Sequence, residues 1–447
     1  MRGTTILCHG TWDLIHLGHI RHLKEAKELG DRLVVSVTAD KFVNKGHDRP
    51  QFSVEQRREA LLMLECVDEV VISESANAVD VIRKIKPAVY VKGVDYASIE
   101  DDNLALERDA VEAVGGRFHT TTTEKWSSTK LLRNLRLPEE ALDYIDYARD
   151  KKFLDKILVA FEKADKLKIV FVGETIMDEY RYVHPLARPS KEFILATVAA
   201  GSEMFEGGII AAAKQGEWEN ASIVTSQSHI VKTRWVGHDF SRKLFEVYSH
   251  RTIEPGWFDA GLLKDEVELA DVVIAIDFGH GLFDDGERDI VRNKSKFLAV
   301  TAQMNAGNWG YNSILRYEGA QYVCVDEQEA RLAVGQQDGT IERVAARLNH
   351  HLKPKALVVT QGRRGSLAGP YKNTFKPVPA FIESGFDTMG AGDCFLSVSA
   401  PLIAAGLDVE MAAFAGNIAG GLKTTVLGHR RHVGRQDIIK NMEWLLK

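Results

Sequence analysis

The sequence predicts a two-domain α/β protein, and three observations lead there. Its 447 residues exceed what one ordinary hydrophobic core organises. Short β-branched apolar runs alternate with amphipathic stretches up to about residue 135, and a second such series begins at residue 167. Residues 136–166 between them carry apolar residues at helical spacing among many charges, which predicts a helical linker rather than a loose one.

In the first series the predicted strands are Thr5–Cys8, Leu33–Val37, Glu69–Ile72, Val89–Lys92 and Arg117–Thr121. The helices predicted between them are Ile20–Leu29, Val54–Leu64, Ala78–Lys84 and Asn103–Val114. Such alternation implies a doubly wound parallel sheet with its ligand site at the carboxyl ends of the strands. The second series opens with Ile169–Gly173 and continues through Ser222–Thr225, Val272–Ile276, Phe297–Val300, Tyr322–Val325 and Leu357–Thr360. It ends in two helices rich in small residues, Gly390–Ala405 and Val409–Val426.

A hydrophobic content of 45% and a charged content of 27% are those of a globular protein. The net charge of -6 offers no electrostatic footprint for nucleic acid or an anionic membrane, so neither is expected as a partner. No apolar stretch approaches a bilayer span, and Met1-Arg2-Gly3 runs directly into a strand without a signal-peptide pattern. Cys8, Cys66, Cys324 and Cys394 lack metal or disulfide spacing and read as reduced thiols, so a cytoplasmic location is expected.

The segment Gly10-Thr11-Trp12-Asp13-Leu14-Ile15-His16-Leu17-Gly18-His19 joins the first strand to a helix start. Free N–H groups and the helix dipole favour an anion there, and imidazoles at His16 and His19 can donate to phosphate oxygens as charge builds up. Three other pieces share the same βαβ series. Lys45 to Pro50 is a basic loop suited to a triphosphate, Lys92-Gly93 follows a strand on the ligand side, and Ser127-Ser128-Thr129 opens a helix with hydroxyls for outer phosphates. Each has a plainer reading. His16, His19 and His22 have the spacing for a metal or for an ordinary helix surface, Lys45 for a solvated charge, and Ser127 to Thr129 for a simple N-cap.

Downstream, Asp387-Thr388-Met389-Gly390-Ala391-Gly392-Asp393 sets small residues at a helix start. The backbone N–H groups of Gly390, Ala391 and Gly392 can close around an oxyanion, and Asp393 can take a proton from an attacking hydroxyl.

The opening segment resembles the GTFDxxHxGH signature of cytidylyltransferase-like nucleotidyltransferases, with Trp12 in place of Phe. Residues 5–132 resemble the adenylyltransferase half of bifunctional heptose 7-phosphate kinase / heptose 1-phosphate adenylyltransferases through LGDRLVVSVTAD, KGHDRP, EQRREALLMLECVDEVV, KPAVYVKGVDY and SSTKLL. Glycerol-3-phosphate cytidylyltransferases share part of this pattern, but their closing Arg is absent here and their Gly is Lys125. The resemblance implies triphosphate contacts from His16 and His19, supported by Gly10, Thr11, Asp13 and Gly18. It also implies charge balance from Lys45 and outer-phosphate contacts from Ser128 and Thr129.

DTMGAGD resembles the signature of the PfkB/ribokinase sugar kinases. By that resemblance Asp178 of GETIMDEY, Arg188 of ARPSKE and the pair Gly207-Gly208 face the sugar. Thr360, Gly362, Gly365 and Asn417 flank the nucleotide, and Glu329 lies near Mg2+. The expected fold is then a Rossmann-like nucleotidyltransferase domain (1–135), the helical linker (136–166) and a ribokinase-like domain (167–447). A small β lid from parts of 178–250 is expected to support a homodimer.

The chain departs from the kinase pattern at GGII, at Asp326-Glu327-Gln328-Glu329, at Thr301-Ala302-Gln303-Met304 with the unusual Asn305-Ala306-Gly307-Asn308-Trp309-Gly310, and at Gly428-His429-Arg430-Arg431. Its domain order also reverses that of the bifunctional heptose enzymes. The implied activity is phosphorylation of a heptose-like sugar or sugar phosphate at the anomeric hydroxyl, then nucleotidyl transfer from ATP or CTP with Mg2+. The alternative is a monofunctional nucleotidyltransferase whose kinase-like domain only binds ligand or dimerises.

Overall fold

The computed structural model describes residues 3–43, 49–97, 102–122, 137–186, 188–190, 192–237, 242–253, 259–370, 374–382 and 385–446. The chain forms two compact units, Met1–Arg136 and Leu137–Lys447.

Unit 1 runs β1 (Thr5–Gly10), α1 (Leu17–Lys27), β2 (Arg32–Thr38), α2 (Val54–Leu62), β3 (Glu69–Ser73), α3 (Val79–Ile85), β4 (Val89–Lys92), α4 (Asp102–Ala113) and β5 (Arg117–Thr120). The strands form one parallel sheet in the order β3-β2-β1-β4-β5. Alternate residues of β1 enter cores on opposite faces, Ile6 and Cys8 on one and Leu7 on the other. A strand covered on both faces reads as a continuous apolar run, which is why these segments were legible. The direction of winding reverses beside β1, so the segment after it opens into a crevice at the strands' carboxyl ends.

Unit 2 begins with α5 (Glu139–Asp150) and α6 (Phe153–Ala164), followed by β6 (Ile169–Gly173), β7 (Thr175–Pro185), β8 (Thr197–Gly207), α7 (Gly208–Ala213), β9 (Ala221–Val224), β10 (Ile230–Gly237) and β11 (Arg242–Tyr248). Next come α8 (Ala260–Leu269), β12 (Val272–Asp277), α9 (Asp285–Lys294), β13 (Leu298–Ala302), β14 (Tyr322–Asp326), α10 (Glu327–Ala333), α11 (Ile341–Leu352) and β15 (Ala356–Thr360). Finally, β16 (Ser366–Pro370), β17 (Lys376–Val378), α12 (Ala391–Ala404), α13 (Val409–Thr424) and α14 (Arg435–Leu446) complete the unit.

An eight-stranded sheet of order β17-β16-β15-β14-β13-β12-β6-β9 forms its centre, and a separate sheet β11-β10-β7-β8 forms the lid. The expected linker takes a different place. Its apolar stripe, including Ile145, Ala148, Ile157 and Phe161, is buried in one core with Phe171 and Phe414, so α5 and α6 are structural layers of unit 2. Among the described residues no helix is long and apolar enough to cross a membrane.

Candidate functional site

In unit 1 the turn after β1 is held by buried polar contacts. Trp12 and Leu14 both adopt left-handed backbone, with φ of 54° and 55°. This conformation costs a non-glycine residue free energy that the surroundings must offset. The buried Trp12 indole donates to the Ser36 carbonyl at 2.9 Å, and its ring meets His19 edge-on at a centroid distance of 5.3 Å. His16 caps α1: its Nδ1 accepts from the His19 N–H at 3.4 Å, and the two imidazoles stack at 3.9 Å. With Nδ1 accepting, a neutral His16 carries its proton on Nε2. Burial lowers the His16 pKa, which favours that neutral donor.

His22 separates from this pair. Its ring lies against Trp12, Nδ1 pairs with the Thr121 hydroxyl at 2.8 Å, and burial takes its pKa down to about 4. Among the described residues no group of three or more His, Cys, Asp or Glu is placed to hold a metal.

Asp13 and Lys92, read as nucleotide contacts, are both engaged within the unit. The Asp13 carboxylate pairs with Arg49 and accepts from the backbone of Gln51 and Phe52. Lys92 pairs with the buried Glu107 at 3.1 Å and lies over the Tyr96 ring. Gly10 ends β1, Thr11 is buried, Gly18 is buried in the first turn of α1, and a Cβ at Gly93 would meet open space. Lys45, Ser127, Ser128 and Thr129 lie outside the described residues.

Sequence reasoning missed Arg57. Its buried guanidinium donates to the carbonyls of Thr11, Thr38 (2.8 Å) and Phe52 (2.9 Å) and to Asp40 at 2.5 Å, joining the signature turn to α2. An Arg on a predicted helix carries no local sign of that role.

In unit 2 a cavity of about 530 Å³ is lined by Asp178, Gly208, Glu329, Thr360, Gly362 and Gly365, and by the DTMGAGD turn and Asn417. Gly390, with φ 71°, ends the turn and starts α12, and Asp393 lies in that helix's first turn. Unpaired N–H groups at such a start favour an anion. The other acid of the motif, Asp387, braces the turn by accepting from the backbone of Met389 (3.1 Å) and Gly428 (2.8 Å) and pairing with Lys243 (2.7 Å). Burial opposes its ionisation, but the Lys243 and Gly428 hydrogen bonds prevail and hold its pKa low. Asp393 has less support. Burial pushes it up to about 6, against the pull of His429 and Gln303, a value suited to a general base near neutral pH.

Asp178, which the resemblance placed at the sugar, is paired with Arg234 and with His429 Nε2 at 3.2 Å. Gly207 passes so close to Asp178 Oδ2 that a Cβ would clash, and Gly208 has φ 56°. Arg188 is exposed between β7 and β8 and is not part of the cavity lining. Lys232, Arg234 and His429 were not singled out. Along β10 burial alternates, and that phase turns Lys232 and Arg234 inward with Ile230 and Val236. A basic residue on the apolar phase of a strand was the available signal.

Two residues that the resemblance placed beside the nucleotide and Mg2+ have structural duties. Asn417 donates to the carbonyls of Val378 (2.9 Å) and Pro379 (3.1 Å). Glu329 forms a reciprocal capping box with Asp326 and accepts from Met304 N–H at 3.1 Å. Burial and the neighbouring Asp326 push Glu329 up to about 8. Asp326 and Glu329 line the same cavity, and among the described residues no group of carboxylates forms a metal cage. That donor set fits a Mg2+ shared with nucleotide phosphates, because Mg2+ takes few carboxylates and keeps its waters.

A doubly wound sheet with paired imidazoles at its switch point, and an α/β unit whose Gly-rich turn presents a carboxylate, define a chain built from two phosphate-handling transferase domains. The cytidylyltransferase-like family matches residues 7–134, and the pfkB family of carbohydrate kinases matches residues 308–433. The chain thus carries a cytidylyltransferase-like domain followed by a PfkB domain. It is 39% identical over 127 residues to the Bifunctional protein HldE of a Nitratiruptor species, covering 28% of this chain and 28% of that one. With the protein of the same name from Citrifermentans bemidjiense it is 40% identical over 158 residues, 35% of this chain and 27% of that one. The chain therefore spans little more than a quarter of the length of these relatives. Phosphofructokinase-2 from Escherichia coli shares the fold, with a TM-score of 0.50 at 15% identity, covering 63% of this chain and 100% of that one.

Proposed function

We propose that the chain makes a nucleotide-activated sugar in two steps. Unit 2 transfers the γ-phosphoryl of ATP to a sugar phosphate of heptose type at its anomeric hydroxyl. Unit 1 then joins the resulting sugar 1-phosphate to a nucleotide from ATP or CTP, releasing pyrophosphate. The observation that carries this reading is the pairing of two sites in one chain. One has stacked imidazoles at a helix start, and the other has Asp393 beside a glycine-rich helix N-terminus.

In the kinase step Asp393 accepts the hydroxyl proton while the sugar oxygen bonds to the γ-phosphorus and ADP leaves. The helix start at Gly390 to Gly392, where the Ala391 N–H also donates to the Thr388 carbonyl at 3.3 Å, favours the charge that builds on the transferring group. Bound Mg2+, held by phosphate oxygens with Glu329 and Asp326 nearby, would neutralise triphosphate charge. In the nucleotidyl step a sugar-phosphate oxygen attacks the α-phosphorus, and His16 Nε2–H and His19 stabilise the negative charge that develops.

Lys232 favours a phosphorylated sugar over a neutral one. It is 8% exposed, lies against the Tyr248 ring on the cavity wall, and has no ion pair among the described residues. A buried ammonium is costly without an anion, and a substrate phosphate supplies one.

The test incubates purified chain with a nucleoside triphosphate panel and candidate sugar phosphates, followed by phosphorus NMR. Formation of a sugar 1-phosphate and then a nucleotide-sugar diphosphate supports both steps. Pyrophosphate release from supplied sugar 1-phosphates, with no phosphoryl transfer across the panel, selects a monofunctional nucleotidyltransferase.

A further inference from the structure

The asparagine-rich turn after β13 has no part in the two-step reading, yet its side chains tie it to the end of β12 and to Gln303, whose amide reaches Asp393. Asn305 Nδ2 donates to the Phe278 carbonyl at 2.8 Å, and Asn308 Nδ2 lies 3.3 Å from the carbonyls of Phe278 and Gly279. Asn312 Nδ2 donates to the Asp277 carboxylate at 3.0 Å and to the Gln303 carbonyl at 3.2 Å. The Gln303 N–H donates to the Asp277 carbonyl at 2.8 Å. Asp277 is held in turn by the Tyr317 hydroxyl at 2.7 Å. The backbone of Gln303 is therefore fixed from both sides. From that anchorage its side-chain amide crosses to α12 and donates to Asp393 Oδ1 at 2.5 Å.

We propose that Gln303, braced by the turn at 305–312, is a positioning residue that holds the Asp393 carboxylate ionised and aimed until the sugar hydroxyl arrives. The inference rests on the kinase reading of unit 2. A buried carboxylate loses solvation, and each N–H donated to it favours the charged form. Other groups facing Asp393 are Lys232 and Asp178 on the lid, His429 after α13, Lys423 within α13 and Glu329 at the start of α10. The nearby thiols of Cys324 and Cys394 are raised by burial and stay neutral. Among the side-chain hydrogen bonds of the described residues, the one that reaches Asp393 comes from Gln303. Removing the amide donor makes the carboxyl harder to ionise, and this displaces the acid limb of phosphoryl transfer to higher pH.

The experiment follows that ionisation in the full chain by two routes. Carbon-13 NMR of aspartate-labelled protein reads the Asp393 midpoint without substrate, with Asp393→Asn assigning the resonance. Phosphoryl transfer from ATP to an accepted sugar phosphate reads it kinetically. Gln303→Met keeps the side-chain length and removes the donor. Its expected effect is an upward midpoint shift of roughly one pH unit, with kcat depressed near pH 6 and recovering above pH 8. Gln303→Glu places a like charge beside the base and is expected to shift the midpoint further, so it serves where the Met variant fails to fold. An unmoved midpoint, or a kcat loss equal at every pH, overturns the proposal. If the wild-type chain accepts no sugar, the two-step reading fails while the NMR midpoint still decides the role of Gln303.

Discussion

Asp13 and Arg49 form an ion pair at 2.6 Å with side chains only 0% and 2% exposed. The same carboxylate accepts from the Gln51 N–H at 2.9 Å and the Phe52 N–H at 3.2 Å, so one side chain of the signature turn anchors the segment leading into α2. Removing one member of a buried pair leaves the other without its counter-charge. Asp13→Ala is expected to cost about 3–5 kcal/mol in urea unfolding of unit 1 and to abolish pyrophosphate release. Wild-type unfolding and turnover in this variant would show that the anchor is dispensable.

The stacked imidazoles give a prediction that separates the two activities. His16→Ala and His19→Ala each remove a donor from developing phosphate charge and are expected to lower pyrophosphate release about 10²–10³-fold. Phosphoryl transfer by unit 2 should be unaffected in the same preparations. Coincident loss of both activities would contradict separate sites.

Asp393 links activity to stability with opposite signs. Its folded pKa of about 6 lies above the ordinary aspartate value of 3.8, so the folded chain binds this proton at higher pH than the unfolded chain. Unit 2 therefore gains stability as pH falls through about 6 toward the ordinary carboxylate range, and loses that gain as pH rises again. Asp393→Asn should stabilise unit 2 at pH 7 by on the order of 3 kcal/mol while lowering phosphoryl transfer about 10²–10⁴-fold. Calorimetry at pH 5 and pH 8, alongside kinase assays, checks both; an Asn variant less stable at pH 8 refutes the linkage.

Lys232→Met tests the anionic end of the sugar. The variant removes a buried ammonium, so unfolding stability is expected to hold or rise. KM for a phosphorylated sugar should increase about tenfold or more, with kcat changed less, and a neutral analogue should bind no worse. An equal KM change for charged and neutral sugars would remove Lys232 from substrate recognition.

Much of the fold was legible because buried parallel strands announce themselves. The predicted strand Val89–Lys92 coincides with β4, and Ile169–Gly173 coincides with β6, each an uninterrupted buried run. The lid was legible only as a region. β8 is exposed along most of its length and carries small and polar residues, so no apolar alternation marks it. The DTMGAGD turn identified a cavity wall, but its two acids diverge: Asp387 is a brace held by Lys243 and the 428 backbone, whereas Asp393 faces the cavity. The resemblance implied a metal-side role for Glu329, but its spacing to Asp326 also encodes a helix cap, and the structure uses it as one. The helical spacing of 136–166 predicted connecting helices, and the apolar stripe of those helices is long enough to form part of a core.

The sequence by itself determined the two α/β units, the turns that carry His16, His19 and Asp393, and the order in which they occur. Those features are local, because strand and helix periods and glycine-rich turns are written over a few consecutive residues. Only the tertiary structure decided how the buried charges are matched. It joined Arg57 to Thr11, Arg234 and His429 to Asp178, and Gln303 to Asp393 across long stretches of chain. The physical reason is that a buried ionic or polar group must find its partner wherever the packed elements bring one, and no local pattern specifies that meeting.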